Sequence, residues 1–299
     1  MTRLLDLYGT GLLKLRGSEL ADAIRASEGR TLVAEVMAKA PPLLSGTANA
    51  EIVAAFGADL ICLNLADLTA QGCPVKGLEE VVRPPGDLDG LAMLLGRPVG
   101  LNLEPDLESV PPAYRASAAN VRKAEAMGAA FVVVTANPGR GAGLEDIESA
   151  VRTVTGAAPG LQCWAGKMHH AGAEERLGPK TVARVIAAGA DGALIPLPGT
   201  VPGISEQRAG DMVEEVRSAH ALAVGTIGTS QEGADAATLR RLALAGKRIG
   251  VDIHHIGDAG FTGLALPESL YAYSVAMRGI RHTWNRMARG ARASWRGEE

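Results

Sequence analysis

Polar side chains recur at one kind of position in this sequence, at or just after the end of a short apolar run. They are Glu35, Asn64, Asn102, Glu104, Thr135, Asn137, Lys167, His169, Thr226, His254, His255 and Asp258. Short apolar runs are typical of buried strands, and burying a polar group without a partner costs free energy. The repetition of the pattern therefore predicts that many of these side chains converge on one site.

Lys167 is the first candidate for catalysis. It follows the apolar segment 161–166, and lysine is seldom buried unless it is paired. A desolvated lysine has a lowered pKa and could form a Schiff base, transfer a proton or contact a phosphate group. A lysine whose ammonium group reaches solvent is the structural alternative. We predict Glu104 as the second acid or base.

Histidines occur in two adjacent pairs, His169 with His170 and His254 with His255. Neighbouring side chains on a strand point to opposite faces, so at most one histidine of each pair enters a site directly. We predict His169 and His254 as the groups that assist the acid and base. Adjacent histidines are not a metal-binding signature, and we predict no metal ligands and no cofactor.

A divalent metal ion is an alternative, because carboxylates lie near the histidines in the predicted arrangement. A metal-dependent hydrolase would need at least three of five side chains to converge. They are Glu35, Glu104, His169, His254 and Asp258.

Two glycine-rich loops follow the last two apolar runs, at residues 225–230 and 257–263. Loops at these places in a barrel often bind phosphate through backbone N–H groups. Ordinary turns are the alternative, because glycine accounts for 37 of the 299 residues. The predicted substrate contacts are Glu35, Asn64, Asn102, Asn137, Thr229, Ser230, Gly257, Asp258 and Gly260.

The apolar runs themselves predict the elements that position these residues. They cover residues 31–38, 59–66, 99–104, 130–136, 161–169, 192–197, 221–228 and 251–257. Segments with helical periodicity lie between them, and continuous apolar runs indicate strands that are covered on both faces. Alternating strands and helices predict a parallel α/β sheet.

A weak repeat indicates that this sheet is closed. Gly57-Ala-Asp59, Gly128-Ala-Ala130 and Gly189-Ala-Asp191 each precede an even-numbered run. A repeat of every two units fits a (β/α)8 TIM barrel, whereas an open doubly wound sheet would carry GxGxxG after its first strand. We predict a single α/β domain over residues 1–299. A short N-terminal helix within 1–30 would cap the barrel, and 264–299 would form a long C-terminal helix and tail.

Composition limits the partners. A net charge of −3 and 3% aromatic residues exclude the usual nucleic-acid surfaces. No apolar stretch predicts a signal peptide or a membrane span, and three cysteines without CxxC spacing fit a reducing cytoplasm. We expect a cytoplasmic homo-oligomer that binds a small phosphorylated substrate and neither nucleic acid nor a membrane.

Three segments carry a family resemblance. Pro98-Val-Gly-Leu-Asn102, Lys167-Met-His-His-Ala171 and Gly189-Ala-Asp-Gly-Ala-Leu-Ile195 resemble the BtpA/SgcQ family of TIM-barrel proteins. The segment 251–263, together with residues 281–283, looks closer to barrel proteins found beside sugar-phosphotransferase genes. The first resemblance implies a role in photosystem I assembly, and the second implies metabolism of a phosphorylated sugar.

Together these observations favour an enzyme that acts on a small phosphorylated metabolite by acid–base or Schiff-base chemistry. An isomerase, an epimerase or an aldolase-type lyase would use the predicted groups in this way. A non-catalytic assembly or regulatory factor and a metal-dependent hydrolase are the alternatives.

Overall fold

The computed structural model describes residues 2–68, 75–79, 88–137, 139–169, 176–258 and 262–290. Eight parallel strands within these residues close into a barrel, in which β1 pairs with both β2 and β8. The strands are β1 Thr31–Met37, β2 Leu60–Asn64, β3 Val99–Leu103, β4 Phe131–Val134, β5 Gln162–Ala165, β6 Gly192–Pro196, β7 Leu222–Ile227 and β8 Ile253–Ile256. The predicted (β/α)8 TIM barrel is therefore confirmed.

Helices connect the strands and surround the barrel. They are α1 Gly9–Leu13, α2 Gly17–Ala26, α3 Asn49–Ala55, α4 Leu88–Leu95, α5 Ala118–Ala126, α6 Leu144–Ala157, α7 Pro179–Ala187, α8 Glu206–Ser218, α9 Ala236–Ile249 and α10 Pro267–Arg289. The helix ends follow local sequence rules. For example, Asp235 caps α9 by accepting hydrogen bonds from the backbone N–H groups of Ala237 and Thr238, and Gly250 ends that helix with a φ of 86°. In the described part of the chain, no helix has the length and apolar character needed to cross a bilayer.

The fifth strand is shorter than the apolar pattern predicts. The predicted run extended to residue 169, but β5 ends at Ala165. Gly166 adopts a φ of 152°, and a Cβ there would lie 3.1 Å from the carbonyl oxygen of Leu194. The chain therefore turns at a glycine, and strand alternation no longer fixes where Lys167 and His169 point.

The N-terminal segment packs against one end of the barrel interior. Leu4, Leu12, Leu20 and Ile24 share a hydrophobic core with interior side chains that include Phe131. A further interior residue, Trp164, stacks on Phe131 with ring centroids 4.4 Å apart. The N-terminal segment thus adds apolar side chains to the barrel interior at the end opposite the carboxyl ends of the strands.

The two repeated segments that end in aspartate, at Asp59 and Asp191, have a structural explanation, which Asp252 before β8 shares. The backbone N–H groups of Leu32, Cys163 and Ala223 each donate to an aspartate side chain at the start of the following strand, at 2.8–2.9 Å. The acceptors are Asp59, Asp191 and Asp252. Each carboxylate therefore fixes the start of an even-numbered strand against its odd-numbered neighbour.

The last helix is anchored by buried charges. The guanidinium groups of Arg278 and Arg286 each lie 2.5 Å from a carboxylate oxygen of Asp59, and all three side chains are buried. Although burial alone would raise the pKa of Asp59, the two arginines hold it below its ordinary value. The long C-terminal helix predicted within 264–299 is present as α10, with a break at Gly279, whose φ is 79°.

Candidate active site

Strand alternation selects the side chains that face the barrel interior. On β1 these are Val33 and Glu35, and on β2 they are Leu60, Cys62 and Asn64. The strand register pairs Glu35 with Cys62. A carboxyl group and a thiol therefore lie side by side within the barrel.

The flanking strands add polar groups to the same place. Asn102 on β3 and His255 on β8 also face inward, and Asp258 follows β8. We call Glu35, Cys62, Asn64, Asn102, His255 and Asp258 the interior polar cluster. The other side of the barrel carries apolar interior side chains, namely Val133, Trp164, Leu194 and Val224. The interior polar cluster thus lies on or just after β1, β2, β3 and β8, and Gln162 on β5 and Thr226 on β7 are further buried polar residues.

Two asparagines connect the carboxyl groups of this cluster. The Asn102 amide donates to Glu35 Oε1 at 2.8 Å, and the Asn64 amide donates to Asp258 Oδ2 at 2.9 Å. The other carboxyl oxygen of Glu35, Oε2, lies 3.5 Å from His255 Nε2. Asn102 therefore orients Glu35 and leaves Oε2 facing the imidazole ring.

Burial favours the neutral forms of Glu35, Cys62 and His255. Desolvation raises the pKa of Glu35 to about 8, and the negative charges of Asp258 and Glu232 act in the same direction. Desolvation also lowers the pKa of His255 to about 4 and raises the pKa of Cys62 well above its ordinary value. At pH 7 the chain thus holds a carboxylic acid, a neutral imidazole and a thiol in one group.

Several buried polar atoms have no hydrogen-bond partner among the described residues. They include both ring nitrogens of His255, Oδ1 of Asn102 and Oε1 of Glu104. Buried polar groups in native proteins are nearly always hydrogen-bonded, so these exceptions require an explanation. Because they lie on the interior face of adjoining strands, they are the atoms most available to a bound ligand.

Glu104 lies beside the cluster, two residues after Asn102 on the same face of the chain. Its Oε2 accepts a hydrogen bond from the backbone N–H of Asn137 at 3.1 Å and lies 3.5 Å from Arg140 Nε. The predicted residues Glu35, Asn64, Asn102, Glu104, Asn137 and Asp258 are therefore gathered at the carboxyl ends of β1, β2, β3, β4 and β8, with Asn137 contributing its backbone N–H.

The predicted catalytic residues Lys167 and His169 contact the segment that follows β4. Lys167 donates to the carbonyl oxygen of Ala142, before α6, and burial lowers its pKa. The His169 ring contacts the carbonyl oxygen of Ala136 at 3.0 Å. This segment also holds Asn137 and Arg140, which engage Glu104.

His254 lies on the opposite face of β8 from His255. Its Nδ1 is 2.8 Å from the hydroxyl group of Tyr273 on α10, and burial lowers its pKa to about 3. His254 thus packs between the barrel and the last helix. Of the two adjacent histidines, His255 is the one that enters the barrel.

The described residues of the glycine-rich loops contact other groups of the chain. The Thr229 hydroxyl donates to the carbonyl oxygen of Thr200 at 2.7 Å, and Ser230 has a φ of 75°. A Cβ at Gly257 would lie 3.1 Å from Glu232 Oε1, so a buried carboxyl group lies against this loop. The predicted contact Gly260 lies outside the described residues.

Sequence reasoning did not select Cys62 or Glu232, and of the two histidines on β8 it assigned the catalytic role to His254 rather than His255. Cys62 lies two residues before Asn64 and therefore on the same strand face, which is a signal that could have found it. Strand alternation places His255 inside the barrel only once it is known that the Ile253 side chain, two residues earlier on β8, faces the interior. Glu232 lies in a short 3-10 turn after β7, and its sequence carries no comparable signal.

The closed parallel barrel and its polar carboxyl end define a protein of the TIM-barrel class, in which the carboxyl ends of the strands carry the site. More specifically, the chain belongs to the family described as "Domain of unknown function (DUF7916)", whose model matches residues 5–293. No curated protein matches the sequence.

Solved structures share the architecture at low sequence identity. A putative lyase/mutase from Burkholderia cenocepacia J2315 has a TM-score of 0.51 and 18% identity, and the alignment covers 95% of each chain. A tryptophan synthase from M. tuberculosis has a TM-score of 0.49 and 16% identity, over 92% of this chain and 97% of the other. At these identities the likeness shows the fold alone.

Proposed function

We propose that this protein is an enzyme that transfers a proton to or from a small polar metabolite at the carboxyl end of the barrel. Glu104 is the proton-transfer group, and Asn102 orients the substrate. The reaction is of the lyase or isomerase type, in which a proton moves at a carbon next to a carbonyl group. The metabolic role implied by the resemblance to barrel proteins found beside sugar-phosphotransferase genes agrees with this proposal, whereas the resemblance to the BtpA/SgcQ family implies an assembly role.

The observation that carries the proposal is the pair of unsatisfied oxygens on β3 and just after it. Glu104 Oε1 and Asn102 Oδ1 are buried without hydrogen-bond partners among the described residues. The two residues are two positions apart and face the same way. A ligand that donates to both oxygens would satisfy them, whereas an assembly or regulatory role does not require buried polar groups within the barrel.

The second carboxylate oxygen explains how Glu104 is held. The Asn137 N–H and the Arg140 side chain both engage Oε2, so Oε1 is the oxygen that could exchange a proton with substrate. A general base acts at hydrogen-bond distance from the proton that it removes. Glu104 therefore has one oxygen for anchoring and one for chemistry.

Arg140 is the group best suited to an anionic part of the substrate, such as a phosphate. Its side chain is 31% exposed and lies beside Glu104, so it can contact solvent and substrate. The loops after β7 and β8 are less suitable, because the carboxyl groups of Glu232 and Asp258 would repel an anion there. We therefore assign the anion contact to Arg140.

Solvent deuterium exchange tests this function, because it detects the proton-transfer step whatever the rest of the reaction is. The protein is incubated in D2O with a panel of small carbonyl metabolites, with and without phosphate groups, and deuterium incorporation is followed by mass spectrometry. We expect exchange at one carbon of at least one metabolite. Glu104→Gln should slow it by about 10²–10⁴-fold, the usual contribution of general acid–base catalysis.

Glu148→Gln is the matched control, because Glu148 pairs with Arg184 on the helical surface. It should exchange at the wild-type rate. Equal rates in wild-type protein and Glu104→Gln would contradict the assignment of Glu104. Absence of exchange with every metabolite of the panel would contradict the proposal of proton transfer.

A further inference from the structure

We infer that Glu35, Cys62 and His255 form a binding site for one divalent transition-metal ion of the zinc type. The inference deepens the proposed function, since it names a cofactor for the same end of the barrel, and it rests on that function only for the ion's role. The binding itself is argued from three side chains on the adjoining strands β8, β1 and β2.

The geometry is that of a convergent ligand set. One donor atom from each of the three side chains lies within 4.8 Å of the other two. Glu35 and Cys62 are register partners on β1 and β2, and Glu35 Oε2 lies 3.5 Å from His255 Nε2. Donors at these separations can reach one ion with small side-chain adjustments.

The burial of His255 without hydrogen-bond partners is a second, independent observation. Its side chain is 1% exposed, and neither ring nitrogen has a hydrogen-bond partner among the described residues. A neutral imidazole carries one donor and one acceptor, so burying both without partners is unfavourable. A metal ion would use the lone pair of one nitrogen and so account for a histidine placed inside the barrel.

The donor types select the class of ion. A thiolate, an imidazole and a carboxylate are the ligands that Zn²⁺ takes in proteins. Mg²⁺ and Ca²⁺ prefer sites made of oxygen atoms. Three protein ligands leave one position of a tetrahedral ion for water or substrate, which is the arrangement of catalytic rather than structural zinc sites.

Charge and orientation also fit. When the ion binds, the Cys62 thiol and the Glu35 carboxyl group each release a proton to solvent. Two negative ligands then balance the two positive charges, and His255 stays neutral. Asn102 already holds Oε1 of Glu35 at 2.8 Å, which leaves Oε2 for the ion. Such outer hydrogen bonds typically orient metal ligands.

Cobalt titration tests the site, because Co²⁺ occupies zinc sites and reports thiolate ligation by a near-ultraviolet charge-transfer band. The full-length protein is stripped with a chelator, reduced and titrated with Co²⁺ without oxygen. We expect one Co²⁺ per chain, a charge-transfer band and displacement by Zn²⁺. Wild-type protein that gives no such band overturns the inference, whatever the variants do.

Cysteine variants locate the ligand. Cys62→Ser should abolish the band, whereas Cys163→Ser should retain it, because Cys163 is equally buried but lies on the helix-facing side of β5. Cys73, which lies outside the described residues, is replaced by serine as a second control. A band that survives in Cys62→Ser, or that is lost in either control, overturns the inference.

The remaining ligands are tested by affinity. Glu35→Gln and His255→Gln should keep the thiolate band and weaken Co²⁺ binding by at least about tenfold. Unchanged affinity in both overturns the site. Deuterium exchange by metal-stripped protein separates the two proposals. Deuterium exchange by a protein that binds no metal would support the proposed function and contradict the metal site. Metal binding by a protein that catalyses no exchange would support the metal site and contradict the proposed function.

Discussion

At the scale of single residues, the interior of the barrel separates groups that can bind a ligand from groups that position them. Glu35, Cys62 and His255 present donor atoms to one another. Asn102 and Asn64 each hold one carboxyl group by a hydrogen bond. Glu104 stands beside this group with one anchored and one unsatisfied oxygen.

A variant of Asn102 tests whether this residue positions the proposed ligand Glu35 without binding the metal ion itself. Asn102→Leu removes the hydrogen bond to Glu35 Oε1 but none of the three proposed ligands. We expect Co²⁺ affinity to fall by about 10–100-fold, the usual effect of losing an outer hydrogen bond to a ligand, with the thiolate band retained. The measurement is the Co²⁺ dissociation constant from absorbance titration.

Asn64→Leu is the matched comparison, because Asn64 holds Asp258 and none of the three proposed ligands. Its effect on Co²⁺ affinity should be smaller than that of Asn102→Leu. Equal affinities for wild-type protein and Asn102→Leu would show that Asn102 does not position Glu35.

At the scale of secondary-structure elements, most of the barrel could be predicted, because a strand that is covered on both faces has a continuous run of apolar residues in the sequence. The same property hides the direction of each side chain. Ile253 and Ile256 flank the two histidines of β8 with apolar residues on both sides, so the sequence alone did not distinguish His254 from His255. Gly166 similarly ended β5 early and removed Lys167 from the strand pattern.

Gly100 tests how closely the strands and the interior rings are fitted. A Cβ at this position of β3 would lie 2.5 Å from the Phe131 ring, which itself stacks on Trp164. We expect Gly100→Ala to lower the free energy of unfolding by about 1–3 kcal/mol, because an overpacked core must shift to accept the methyl group. Urea denaturation measures the effect.

Gly210→Ala is the control, since the residue is inside α8 and its added Cβ would meet no group within 4 Å beyond the adjoining backbone of its own helix. It should raise stability by about 0.5–1 kcal/mol, because glycine is a poor helix former. If Gly100→Ala is as stable as wild-type protein, the close fit of Gly100 against Phe131 is wrong.

At the scale of the whole molecule, the chain's last helix and the barrel are joined through Asp59. This carboxylate contacts Arg278 and Arg286 on α10 and also accepts the N–H of Leu32 on β1. Breaking a buried ion pair leaves uncompensated charge, so Asp59→Asn should lower the free energy of unfolding by about 3–5 kcal/mol at pH 7. Asp22→Asn, at an exposed pair with Arg25, should change it by no more than about 1 kcal/mol.

The contribution of Asp59 to the free energy of unfolding should decrease as the pH falls. The arginines hold its pKa below the ordinary value of 3.8, so the unfolded chain takes up the proton first as the pH falls. The stabilisation is complete above the unfolded-state pKa and is lost as the pH falls through the folded-state value. Denaturation curves should therefore converge for wild-type protein and Asp59→Asn below pH 3.8. A constant difference across this range would contradict the assigned ion pair.

The central claim, that the protein works at the carboxyl end of its barrel, is tested most directly by a crystal structure with the metabolite that exchanges deuterium. We predict density for this metabolite within hydrogen-bond distance of Glu104 Oε1 and Asn102 Oδ1. A cleft at the opposite end of the barrel, lined by Arg16, Gln162, Asp191 and His220, is the rival place. Density in that cleft, with none beside Glu104, would contradict the account.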